Sequence, residues 1–301
     1  MTVRRFVGLD LGGTNIKTVV IEATDKAVEV VSSSTAPTHA ERGPSGVVER
    51  LVELGRDAID QYGPVDGTGL GIPGLFEHRD GVAVLLPNLR GRWDGVPLSA
   101  PLAAGLRAPV TLVNDARAFT LAEGRLGAGR GCSTLVGVTL GTGVGGGILV
   151  DGKLHLGAWG RAGEIGHQTV VPDGPLCGCG NRGCVEAVAK AGELARLAGR
   201  ATAEEVFAGV RDGDTRCRAA VETVAQYLGI GLANLVTVLG PDRIVVGGGI
   251  AAAGELLLGP LRAAVRSRVT LVPGDQVEVA PAALGSSAGS IGAALAAAEN
   301  I

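Results

Sequence analysis

One hairpin occurs twice in this chain. Phe6 to Asp10 and Asn15 to Glu22 are apolar, β-branched runs joined by LGGT, and far downstream Leu135 to Leu140 and Gly146 to Val150 flank GTGVG in the same way. Such runs with glycine between them read as β-hairpins. Placing Gly8 over Gly137 sets Leu9 on Val138, Leu11 on Leu140 and Gly12 on Gly141 without a gap. A duplicated hairpin restricts the chain to folds built from two related halves, although glycine-rich hairpins also converge by chance. Each turn offers backbone N–H groups that can form an anion-binding concavity, so two of them facing across a cleft would suit a polyphosphate.

Around the hairpins, strands alternate with helices. Val47, Leu51, Leu54, Ala58 and Tyr62 keep helical spacing after Pro44-Ser45, and Val221, Val224, Leu228, Leu232 and Leu235 do so in a longer helix. Gly229 and Gly231 inside the second cost roughly 1 kcal/mol each against alanine, so they point to close packing or to a ligand. Short strands are predicted at Val65 to Gly71, Val110 to Val113 and Ile244 to Val246. The class is α/β. The 301 residues suffice for two domains. The expected division is a small α/β domain over 1–113 and a large one over 114–285, with the alanine-rich helix 286–301 returning to the first and the chain crossing near Asn114.

Between Glu164 and Glu186 the chain reads EIGHQTVVPDGPLCGCGNRGCVE. His167, Cys177, Cys179 and Cys184 make up a HisCys₃ set, the ligand number and type of a closed structural Zn²⁺ site, within a loop spanning 167–184. A disulfide or redox pair is the alternative, but three clustered cysteines leave one over, and C-x-C is not the C-x-x-C of thioredoxin-like chemistry. Cys132 and Cys217 read as core thiols.

No G-x-x-x-x-G-K-[ST] is present, so a nucleotide would be held without a P-loop. Asp10, followed by Gly12, Gly13, Thr14 and Lys17, offers a carboxylate for hydrated Mg²⁺ beside a backbone cradle, or simply a turn residue. IVVGGGIAAAGE imitates a dinucleotide fingerprint, but the acidic residue expected about 20 positions later is missing and the strand comes late in the chain. Gly247 to Gly249 instead suit a flat approach to an adenine or ribose, or a turn with no ligand. VTLVND puts Asn114 and Asp115 at a strand end, where open α/β sheets do their chemistry, and Asp115 can equally be a helix N-cap.

A net charge of −3 and a pI near 5.9 give no footprint for nucleic acid or an anionic membrane, which favours a small-molecule partner. No apolar run approaches the ~20 residues of a membrane span. The first strand is predicted to start by Phe6 with no leader ahead of it, so the expected location is cytoplasmic.

Together LDLGGTNIK, GIPG at Gly71 to Gly74, PNLRGRW at Pro87 to Trp93, VND at Val113 to Asp115, GTGVGGG, AGEIGH, CGCGNRGCVE and VVGGG resemble the ROK family of sugar kinases and sugar-responsive repressors, and they do so over essentially the whole chain. The resemblance implies an actin-like ATPase (ribonuclease H-like) fold of two α/β lobes with a central cleft. It also implies ATP-dependent phosphorylation of a hexose 6-hydroxyl with Mg²⁺. By the same resemblance Asp115 is the general base. Asn88, Asn114, Glu164, His167 and Glu186 hold the other sugar hydroxyls, and Asp10, Gly12, Gly13, Thr14, Lys17, Gly141, Thr142, Gly143, Gly248 and Gly249 line the nucleotide side. His167 would serve both metal and sugar, and loss of the metal is expected to damage sugar binding without touching the phosphoryl donor.

One departure stands out: Arg92 is inserted between Gly91 and Trp93, where the family has N-L-x-G-W. Glucose is the first-choice sugar, with 3-amino-3-deoxyglucose, N-acetylmannosamine, N-acetylglucosamine and fructose behind it. A sugar-sensing regulator without its DNA-binding domain is the reading from another class. Dimers or tetramers are common in the family.

Overall fold

The computed structural model describes residues 2–87, 89–272 and 276–300. They form two compact units, Met1–Ala122 with Ser286–Ile301, and Glu123–Gly285. The first unit contains β1 (Arg4–Leu11), β2 (Asn15–Ala23), β3 (Val28–Pro37), α1 (Gly43–Tyr62), β4 (Gly67–Ile72), β5 (Leu75–Glu77), β6 (Val82–Leu85), α2 (Ser99–Leu106), β7 (Val110–Asn114) and most of α3 (Asp115–Leu126). Its main sheet has the order β3-β2-β1-β4-β7, and β5 with β6 forms a separate hairpin. β1 runs antiparallel to β2 and parallel to β4, which is itself parallel to β7.

The second unit contains β8 (Leu135–Leu140), β9 (Val144–Val150), β10 (Lys153–Leu154), α4 (Val185–Ala189), α5 (Ala191–Ala198), α6 (Ala203–Arg211), α7 (Thr215–Leu239), β11 (Arg243–Gly247), α8 (Glu255–Arg266) and β12 (Glu278–Pro281). The order here is β10-β9-β8-β11-β12. Counted along the chain, the five sheet strands of each unit stand as third, second, first, fourth and fifth. The repeated hairpin therefore grows into the same sheet twice, with β1–β2 in one and β8–β9 in the other.

Each unit has its own core. Val7, Leu9, Ile16, Leu51, Leu70, Leu102 and Trp93 pack in the first, and Val136, Leu140, Ile165, Val224, Leu228, Ile244 and Leu257 in the second. α7 is long and apolar enough to cross a membrane by length and composition, and just over half of its apolar stretch is buried within the protein. Its glycines serve packing: a Cβ on Gly229 would lie 2.5 Å from that of Ala264 on α8, and one on Gly231 would lie 2.9 Å from Val185.

The chain leaves the first unit inside α3, beyond the expected crossing near Asn114, because Ala118, Phe119, Leu121 and Ala122 are buried. Glu123 follows them. Its fully buried carboxylate accepts hydrogen bonds from the backbone of Ala128 at 2.8 Å, Ala283 at 3.0 Å and Leu284 at 2.9 Å, fastening the segment that leads out of β12.

The last helix, α9 (Ala288–Glu299), lies directly on β1 and β4. It is buried almost all round, and only residues without side chains allow the approach: a Cβ on Gly69 would sit 1.7 Å from the Ala293 carbonyl oxygen. Backbone cannot swing aside as a side chain can. Gly69→Ala should therefore lift α9 off the sheet and destabilise the protein by about 3 kcal/mol or more, read as a drop in the urea midpoint. An unchanged midpoint would show the helix seat to be looser than these distances require.

Candidate active site

In the first unit the motifs converge on one edge of the sheet. Asp10 is the last residue of β1 to pair with β4, opposite Gly71, and Ile72 of β4 is opposite Asn114, the last residue of β7. Asp10, the GIPG turn and Asn114-Asp115 thus share the C-terminal edge of three parallel strands, where side chains project past the last ladder bonds. The turn after β1 is closed by Gly12 N–H donating to Asn15 O at 3.0 Å, and the buried Thr38 hydroxyl donates to Gly12 O at 2.7 Å. Gly289, in the first turn of α9, comes so close to Asp10 that an added Cβ would meet Oδ2 at 2.5 Å. Burial raises the Asp10 carboxyl above its usual range, and Lys17 only partly offsets this. The Lys17 ammonium itself donates to Ser286 O at 2.6 Å.

The cap of α3 comes from Asn114. Its Oδ1 accepts from Ala116 N–H at 3.1 Å and Arg117 N–H at 3.2 Å, while its Nδ2 donates to Gly74 O at 3.2 Å. Among the described residues, the second amide hydrogen of Asn114 meets no acceptor. The half-buried Asp115 accepts from Ala116 N–H at 2.8 Å, and with Asn114 as N-cap the helix does not depend on Asp115 for that role.

In the second unit His167, Cys177, Cys179 and Cys184 come together, with all four ligand atoms within 4.8 Å of one another. Cys177 Sγ lies 3.7 Å from His167 Nδ1, and Cys179 Sγ lies 3.8 Å from Cys184 Sγ. A tetrahedron with metal–sulfur bonds of about 2.3 Å and a metal–nitrogen bond of about 2.0 Å has edges of about 3.8 Å and about 3.5 Å, so the set fits one divalent cation. A disulfide would need sulfurs at about 2.05 Å, and all five cysteines are free. Burial pushes the Cys184 thiol up to about 12 and raises Cys177, whereas the Asn181 backbone N–H lowers Cys179. Cys177 and Cys184, raised by burial, keep their protons until a cation displaces them.

The knuckle is held by its own backbone, with Cys177 N–H bonded to Asn181 O and Gly183 N–H to Pro175 O. Gly183, at φ 64°, leaves no room for a side chain, since a Cβ would lie 1.7 Å from Val171 O. On the far side of the imidazole, His167 Nε2 stands 4.0 Å from Glu164 Oε2. Glu186, the second residue of α4, approaches the cluster with Oε1 3.7 Å from Cys177 Sγ.

The second glycine turn lies beside these residues. Gly141 N–H donates to Gly143 O at 2.9 Å, Val144 N–H donates to Glu186 Oε2 at 3.1 Å, and Ala191 N–H, opening α5, donates to Gly141 O at 2.9 Å. Gly248 follows β11 at φ 91° and packs on the end of β8, where a Cβ would lie 2.4 Å from Leu140 O. Gly249 is exposed beside it. Neither the Val144–Glu186 contact nor the fit of Gly289 over Asp10 was foreseen. Both join residues far apart in sequence, and neither leaves a local pattern.

Asn88 lies outside the described residues. The inserted Arg92 is exposed, with its guanidinium 3.7 Å from Asp94, while Trp93 beside it is buried and donates from Nε1 to Arg90 O at 3.0 Å.

The chain matches the ROK family model over residues 6–300. It is 36% identical to the glucokinase of Thermotoga maritima, covering 96% of each chain. Among solved structures, the ROK hexokinase from Thermus thermophilus has a TM-score of 0.85 at 36% identity, covering 98% of each chain. A ROK family glucokinase from Streptomyces griseus, in complex with glucose and AMPPNP, has a TM-score of 0.83 at 31% identity over 99% of this chain and 100% of that one. The fold is the actin-like ATPase fold with two α/β lobes, and the chain belongs to the ROK family.

Proposed function

We propose that this chain is an ATP-dependent kinase that phosphorylates the 6-hydroxyl of glucose or a closely related hexose. End-to-end likeness to glucokinases supports the reaction class. The observation that carries the residue assignment is the division of labour at the end of β7, where Asn114 caps α3 and Asp115 stands at the strand edge.

Asp115 is assigned as the general base that takes the proton of the attacking hydroxyl. Phosphoryl transfer depends on alignment and charge stabilisation more than on covalent chemistry, so most of the remaining residues position. In the first unit the backbone of Gly12, Gly13 and Thr14, with Lys17, is assigned to the nucleotide, and Asp10 to Mg²⁺. A buried carboxylate with a raised pKa is a group that a neighbouring cation stabilises. Mg²⁺ supplies neutralisation of phosphate charge when bound. In the second unit Gly141, Thr142, Gly143, Gly248 and Gly249 are assigned to the nucleotide. Glu164, His167 and Glu186 are assigned to the sugar's hydroxyls, as are Asn114 and Asn88.

Zn²⁺ is the cation assigned to His167, Cys177, Cys179 and Cys184, where it orders the loop. His167 would ligate through Nδ1 and keep Nε2–H for a ligand, and the 4.0 Å gap to Glu164 lets one hydroxyl bond both side chains. The same reading has the enzyme acting in the cytoplasm as a homo-oligomer. A net charge of −3 favours a small-molecule partner over nucleic acid or an anionic membrane.

ADP release from Mg-ATP, measured against a panel of amino and non-amino hexoses, tests the proposal. Glucose or a near relative should stimulate release strongly. Release that no hexose stimulates would defeat the kinase and favour a sugar-sensing regulator.

A further inference from the structure

Glu186 uses its two carboxylate oxygens in two directions. Oε1 lies 3.7 Å from Cys177 Sγ and accepts from its thiol while no cation has displaced the proton, and Oε2 receives the backbone N–H of Val144, at the end of the Gly141–Gly143 turn, at 3.1 Å. Nothing stands between carboxylate and turn, because a Cβ on Gly143 would lie only 2.5 Å from Oε2. Just past that short helix the chain touches the turn again, where Ala191 N–H, opening α5, donates to Gly141 O at 2.9 Å. α4 begins immediately after the ligand candidate Cys184, and four of its five residues are buried. It is a short strut with the cysteine cluster at one end and the glycine turn at the other.

We infer that Glu186 is a positioning residue for the Gly141–Gly143 turn, through which order in the His167–Cys184 cluster reaches the nucleotide side as well as the sugar side. This rests on the assignment of that turn to the nucleotide under the proposed function. It reverses the expectation that loss of the metal leaves the phosphoryl donor untouched. Val144 is buried, so without an acceptor its N–H loses its partner and the turn must rearrange to find another. Binding linkage is reciprocal, so a nucleotide seated on an ordered turn must in return favour metal retention.

Nucleotide affinity measured without sugar tests the strut. The full-length protein is titrated with Mg-AMPPNP by calorimetry when zinc-loaded, after stripping with a chelator, and as Glu186→Ala and Glu186→Gln. Stripping and Glu186→Ala should each weaken nucleotide binding by about tenfold, the scale of one orphaned buried donor. Glu186→Gln keeps an oxygen that can accept from Val144, so its nucleotide affinity should stay within about twofold of the parent. Unchanged nucleotide affinity in both the stripped protein and Glu186→Ala overturns the strut and leaves the kinase reading standing. No nucleotide binding by the loaded parent overturns both.

Gly143→Ala supplies a second reading if Glu186→Ala fails to fold. The new methyl group displaces Oε2, and perturbing the surroundings of metal ligands typically costs about 10- to 100-fold in metal affinity. Zinc should therefore pass to a competing chelator faster from Gly143→Ala than from the parent, an effect that crowding of the nucleotide alone would not produce. Equal rates of zinc loss overturn the inference.

Discussion

Asp115→Asn is expected to lower kcat by about 10²- to 10⁴-fold, the usual worth of a general base, with sugar affinity and fold retained. The fold should survive because Asn114 supplies the N-cap of α3. The bond that Asp115 receives from Ala116 can be accepted equally by an asparagine Oδ1. What asparagine cannot do is take a proton at neutral pH. Removing one negative charge from the first turn of a helix costs about 0.3–1 kcal/mol, so the melting temperature should fall by only a few degrees. Glucose binding measured by calorimetry should change little, which places the loss in kcat. Near-normal turnover would return Asp115 to the helix terminus and move the base elsewhere.

Legibility in the sequence followed locality. β1, β2, β8 and β9 were readable because their apolar runs end in glycine turns, and α1 because its buried Val47, Leu51 and Ala58 keep helical spacing. β3 was not read. Its VEVVSSSTAP is mostly exposed and serine-rich, and it is a strand because it pairs with β2 from Asn15 to Ala23. The closing helix was visible only as an alanine-rich stretch, since a helix buried nearly all round has no polar face to set its period. α8 carries Pro260 within it, a residue that argues against a helix in any local reading.

The site divides in the same way. Four metal-ligand candidates within eighteen residues announce themselves by type and spacing, whereas a carboxylate that meets a backbone N–H more than forty positions away does not. Glu123 shows the extreme case. In sequence it is one more helical residue of ARAFTLAEG, yet its partners at Ala283 and Leu284 are separated from it by 160 and 161 positions. Residue type marks chemistry that a short loop can enclose, and only the packed sheet brings distant backbone donors to a buried acid.

Cys179→Ser is expected to abolish stoichiometric zinc and to lower the melting temperature of the zinc-loaded protein by about 5–10 °C, on the scale of about 2–4 °C per kcal/mol for a unit of this size. Cys179 suits the test because its residue is exposed while Cys177 and Cys184 are buried, so serine there disturbs the packing least. A neutral hydroxyl replaces a thiolate, and the three remaining ligands leave the tetrahedron open. With no cation to displace their protons, Cys177 and Cys184 stay as buried thiols, Cys184 being held up to about 12 by burial. Zinc uptake by the parent must therefore release protons, seen in calorimetry as a heat that varies with the buffer's ionisation enthalpy. Chelator should lower the melting temperature of the parent to that of the variant and leave the variant where it was. A variant that keeps one zinc per chain and melts with the parent would show that the imidazole and the three sulfurs are not the ligand set, and Glu186 would then have no metal site to relay to the glycine turn.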